Sequence, residues 1–167
     1  MLYLVRWWLA ASRWRTEEEY NTMSEQERAF ERVRESFAKQ GLMGVLRAQV
    51  SEVDEGWCVI EVPYSDKLTQ QQRYFHGAVA GAIGDSAGGY AALTLAPADR
   101  EVLTVEYKIN FLAPAWGHKL VARGEVLTAG RRLFVCKAEV VVLSSEGEET
   151  PCAVLQQTVA TAPVENK

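Results

Sequence analysis

Between Arg73 and Asp99 the chain carries a single formal charge, Asp85, set in a run that also holds Gly77, Gly81, Gly84, Gly88 and Gly89. The run has no proline before Pro97 and reads as one long helix. Each interior helical glycine costs about 0.5–1 kcal/mol relative to alanine, so this many in one helix need a compensating reason. At 3.6 residues per turn, Gly77, Gly81, Gly84 and Gly88 fall in a stripe about 60° wide, with Asp85 at its border and Val79, Ile83 and Tyr90 opposite. Such a surface lets a backbone or a ligand come very close and aims one carboxylate at the contact. These are the marks of an active-site helix.

The elements around it follow from pattern. Ser24 and Glu27 form a capping box, and Phe30, Val33 and Phe37 continue at helical spacing until Gly41. Strand-like runs over residues 45–53 and 57–64 flank Asp54, Glu55 and Gly56, a hairpin signal. A loop over residues 65–75 leads into the glycine-striped helix. Residues 102–111 then alternate, with Leu103, Val105, Tyr107, Ile109 and Phe111 on one face and Thr104, Glu106, Lys108 and Asn110 on the other. Further strands are expected over residues 120–128, 133–143 and 152–161, followed by a frayed tail from Pro163. Short turns between consecutive strands predict an antiparallel sheet. One apolar helix between two groups of strands must be covered by that sheet, and its small residues permit strong curvature. The expected class is α+β, with an additional N-terminal helix.

A chain of 167 residues suits one domain with a real core. Its net charge of −4 argues against general nucleic-acid binding, which needs a basic face. Cys58, Cys136 and Cys152 lie in strand-like runs and read as buried free thiols in a reducing, cytoplasmic compartment. They match no metal spacing, and with two histidines no metal site is expected. Residues 1–9 are apolar except for Arg6, yet far short of the roughly 20 residues that span a bilayer, so no stable membrane insertion is expected. Residues 1–22 read as an extension, either a docking segment or sequence upstream of a start at Met23. Residues 23–167 form the domain.

Three motifs carry a family resemblance: His76-Gly77-Ala78 followed by Asp85, the run from Val105 to Pro114 (VEYKINFLAP), and Gly130-Arg131-Arg132. Over roughly residues 41–161 the chain resembles the hotdog-fold acyl-CoA thioesterases, in particular the phenylacetyl-CoA and 4-hydroxybenzoyl-CoA thioesterase-like group. The resemblance implies a sheet wrapped around a central helix, and homodimers that often pair into tetramers. It also implies active sites at the subunit interface and hydrolysis of an acyl-CoA thioester. No cofactor is implied, coenzyme A being part of the substrate.

Within that reading, Gly77 sits at the helix start, where an unsatisfied N–H near the positive end of the dipole can stabilise an oxyanion. One such donor is worth about 3 kcal/mol in a transition state. Asp85 would activate water as general base or attack the thioester as nucleophile. Gln70, seven residues before Gly77, would hold the thioester or the water, and Thr104 matches a position where relatives place a hydroxyl. The resemblance gives His76 a structural, loop-ordering part at the substrate side, with Ala78 and Gly89 beside it. Arg131 and Arg132 follow a hairpin glycine and could bind the phosphates of coenzyme A. Two departures stand out. Ala78 replaces the second glycine of the His-Gly-Gly signature, and Gly89 stands where some relatives carry a hydroxyl. The competing readings are a hotdog hydratase or dehydratase acting on enoyl or hydroxyacyl thioesters, and a non-catalytic acyl-CoA binding module.

Overall fold

The computed structural model describes residues 22–163. The expectations for the first 21 residues and for the tail beyond Pro163 lie outside the described residues. Helix α1 (Glu25–Ala38) begins with the expected box: Ser24 Oγ accepts from the Glu27 N–H at 3.2 Å, and Glu27 Oε2 accepts from the Ser24 N–H at 2.8 Å. A second helix, α2 (Gly41–Leu46), follows where the sequence pattern suggests the chain becoming strand at Val45. Met43 and Leu46, three apart, are both buried on one face of that turn, and this burial decides the outcome. Arg47, in the left-handed region at φ 54°, ends the helix, and the first strand starts only at Gln49.

The sheet consists of β1 (Gln49–Asp54), β2 (Trp57–Pro63), β3 (Arg100–Phe111), β4 (Lys119–Ala129), β5 (Leu133–Leu143) and β6 (Glu149–Pro163). Its spatial order is β1-β2-β4-β5-β6-β3, antiparallel throughout. The curved sheet holds α3 (Gly77–Leu95) against one face, with α1 packed beside it. That is the wrapped-helix architecture expected. An almost uniformly apolar helix is stable only when enclosed, and Ile83, Ala87, Ala91 and Ala92 are fully buried.

The glycine stripe serves this enclosure. A Cβ on Gly84 would stand 2.7 Å from a Leu155 methyl, and one on Gly88 2.7 Å from the Gln157 amide carbon. From the sheet side, a Cβ on Gly124 of β4 would stand 2.2 Å from the carbonyl carbon of Ala87. What comes close to the stripe is therefore the chain's own sheet. Asp85, at the border, is left half-buried.

The alternation expected in β3 is corrected. Pairing with β6 slips between Thr104 and Glu106, a bulge that inserts Val105. Thr104 faces α3 together with Tyr107, Ile109 and Phe111, and Leu103 points the other way. Uninterrupted alternation would have turned Thr104 from the helix.

Each end of α3 is capped by a named side chain. His76 is its N-cap, Nδ1 accepting from the Ala78 N–H at 3.0 Å. At the far end the Arg32 guanidinium of α1 donates to the carbonyls of Leu93 at 2.6 Å, Ala96 at 3.2 Å and Pro97 at 3.0 Å. A cation there also complements the negative end of the helix dipole. The three cysteines are free and buried, as expected. Among the described residues no helix is long and apolar enough to cross a membrane.

Candidate active site

Asp85 lies midway along α3, on a strip with Ala78, Ala82, Ser86 and Gly89 that the chain's own sheet leaves partly open. Its Oδ1 accepts from Thr104 Oγ1 at 2.7 Å. The β3 bulge aims that hydroxyl. The two residues are joined although they are 19 positions apart in the chain. On the other side Gln40, just after α1, donates from Nε2 to the Tyr90 hydroxyl at 2.8 Å, and its Oε1 lies 3.5 Å from Ser86 Oγ. Burial pushes the Tyr90 hydroxyl above its ordinary pKa, opposed by its bonds to Ser36 and Gln40. Outside its own helix, no described residue comes within 4 Å of the position a Cβ on Gly89 would take.

The start of α3 is set by the loop before it. Tyr64 packs edge-on against Phe75 and Trp116, and Trp116 against Tyr74. His76 donates its main-chain N–H to Leu68 O, and Phe75 donates to Ala115 O. Of the first three helical N–H groups, that of Ala78 is taken by His76 Nδ1 and that of Val79 by His76 O. The Gly77 N–H has no acceptor among the described residues. It sits at the positive end of the helix, under the edge of the Phe111 ring. His76 thus caps the helix, and Ala78 beside Gly77 is exposed.

The remaining candidates stand apart from Asp85. Gln70 is in the loop, its main-chain N–H bonded to Tyr74 O and its side chain bonded to Gln72. It makes no hydrogen bond with Asp85 or Thr104. Arg131 and Arg132 form the exposed β4–β5 turn, with no ion-pair partner among the described residues. Gly77 and Asp85 are eight residues apart on one helix, about 12 Å along its axis. A single chain cannot present both to one carbonyl group.

Two contributors escaped sequence reading, Gln40 and Gln157. Gln157 Nε2 donates to the main-chain oxygen of Asp85 at 3.1 Å. The signal was there: Gln157 shares its strand phase with Leu155 and Val159, both fully buried. Its neighbour Gln156 disguised it as part of a polar pair.

A family model described as the thioesterase superfamily matches residues 72–148. The crystal structure of a thioesterase family protein from Silicibacter pomeroyi is 37% identical, with a TM-score of 0.79, covering 81% of this chain and 99% of that one. A protein of Saccharolobus solfataricus, an esterase by name, is 35% identical over 94 residues, which are 56% of this chain and 66% of that relative. The Escherichia coli PaaI protein from the phenylacetic acid degradation operon shares the fold at 17% identity and a TM-score of 0.72, covering 85% of this chain and 97% of that one.

Proposed function

The chain belongs to the thioesterase superfamily, and from that premise we propose that it hydrolyses acyl-coenzyme A thioesters to the free acid and coenzyme A. The observation that carries the reading is the Thr104–Asp85 pair at 2.7 Å on the open strip of an otherwise enclosed helix. An aspartate whose one oxygen is fixed by a hydroxyl has its other free for a water or for a thioester carbon. The Gly77 N–H, unbonded at a helix start, is the matching donor for the oxygen that becomes negative.

Because those two groups are about 12 Å apart on one helix, the site is completed by a second copy. The β3 edge supports this. Among the described residues it is the last strand of the sheet, and its unpaired side runs for 12 residues. Leu103, Val105, Tyr107 and Phe111 are exposed along it, and Leu112 and Trp116 follow. A long, apolar open edge is a pairing surface. Two copies joined edge to edge would set the Gly77 end of one helix towards Asp85 of the other. Gln70 would then act from its loop on the partner's thioester, and Arg131 and Arg132 would meet the phosphates.

The hydratase reading has less support, since His76 Nδ1 is occupied as the helix cap and His76 stands nine residues before Asp85. The test is thiol release from short, medium, long and aryl acyl-CoAs, beside hydration of crotonyl-CoA. Asp85→Asn should lower kcat by about 10²–10⁴-fold with the fold intact. A rate unchanged by that substitution would remove the assignment, and hydration without thiol release would favour the competing one.

A further inference from the structure

Among the described residues no amide or charged side chain other than Gln157 is fully buried. Only 1% of its surface is exposed. Its Nε2 makes one hydrogen bond, to the Asp85 carbonyl, and its Oε1 has no partner among the described residues. Room for it is made by Gly88, where a Cβ would stand 2.7 Å from both the Gln157 amide carbon and Oε1. A buried amide whose oxygen is left without a partner is a poor choice for packing alone. A methionine or leucine would fill the same volume without that cost.

The location gives it a use. Gln157 pairs with Tyr107 and Val159 pairs with Thr104, so the β3 bulge lies between those two rungs of the β3–β6 ladder. From this one place the sheet grips Asp85 twice: Thr104 holds the carboxylate and Gln157 holds the main-chain oxygen. The helical turn in question ends in Gly88 and Gly89, the least constrained residues a helix can carry. Left to its own ladder, that turn could rotate the carboxylate away from Thr104.

We infer that Gln157 is a positioning residue for the hydrolysis, fixing the Asp85 turn by its amide so that the carboxylate stays in register with the Thr104 hydroxyl. The inference rests on the proposed function, because it matters only if Asp85 does the chemistry. Gln157 itself touches no substrate. Its effect passes through the placement of Asp85 and therefore falls on turnover.

The test is a double-mutant cycle in the full chain, with thiol release from the best acyl-CoA of the screen as assay. Gln157→Met keeps length and volume and deletes the donor. It should leave the melting temperature unchanged or raised and KM within about twofold, while kcat falls about tenfold. Thr104→Val should lower kcat by a similar factor. The double variant should be within about twofold of Thr104→Val alone, because both changes act through one carboxylate. Gln157→Leu serves as a second deletion and should behave as the methionine does. Wild-type kcat in either folded variant, or additive losses in the double, would overturn the inference. So would failure of both variants to fold, which would make the amide a folding element. Asp85→Asn separates the layers. If it retains activity, the function assigned to the site fails. If it is inactive while Gln157→Met turns over normally, only the positioning role fails.

Discussion

Thr104 spends its hydroxyl proton on Asp85, and this bond is the most economical handle on the site. Hydrogen bonds to a charged acceptor are worth about 1.5–3 kcal/mol, and under the proposed function part of that is orientation of the Asp85 carboxylate. Thr104→Val conserves shape and removes the donor, so kcat should drop about tenfold while thermal stability changes little. A single-turnover measurement beside a melting curve checks both. At this scale Asp85 was legible, because a lone charge inside an apolar helix has no packing reason to exist. Gly77 was legible for a related cause, a glycine placed where a helix leaves its N–H groups unbonded. The resemblance named Thr104, but the strand pattern did not show that it reaches Asp85, since strict alternation turns it the wrong way and one inserted residue, Val105, reverses the phase. Gln70 shows the opposite limit. Its spacing from Gly77 is visible in the chain, yet within one chain its amide is engaged with Gln72.

At the level of elements, the contact between α3 and β4 is backbone on backbone. Gly124 lies on the main chain of Ala87 and Gly88, closer than any side chain could permit. Gly124→Ala should therefore cost about 3 kcal/mol or more, beyond ordinary overpacking, because neither backbone can swing aside as a flexible side chain would. Chemical denaturation checks it: the midpoint should fall sharply, and unchanged stability would mean that helix and sheet can slide apart. The small residues of α3 announced that something would pack closely. They could not say what, and the occupant proved to be the molecule's own sheet. Strand existence was readable from period and turn residues throughout the second half. The short helix at Gly41–Leu46 was not, because Leu42, Met43, Val45 and Leu46 suit either a strand or a turn of helix until tertiary burial of Met43 and Leu46 selects one.

For the whole molecule, burial of titratable groups sets the response to alkali. Desolvation pushes the Cys58 and Cys136 thiols up to about 12 and the Cys152 thiol up to about 11. Unfolded, these thiols would release their protons near 9, whereas the folded chain retains them. Above that pH unfolding releases protons, so stability falls as pH rises, by about 1 kcal/mol for each thiol at pH 10. Below pH 9 the contribution is complete. Tyr90, also raised by burial, acts in the same direction. Urea midpoints should therefore be lower at pH 10 than at pH 8, and a thiol-specific dye should react only as the chain unfolds. Fast labelling of the native protein would contradict this.

Arg32 carries one more implication. The guanidinium on α1 shields three main-chain oxygens around the tail of the central rod, Leu93, Ala96 and Pro97. A version trimmed to the sheet and its rod, beginning near Gln49, would hand those oxygens to solvent beside a newly uncovered flank at Tyr90. Such a trimmed chain should unravel first from Leu95 backwards, towards the turn that holds Asp85. The leading helix is thus a part of the working unit, and a minimal fragment cannot dispense with it.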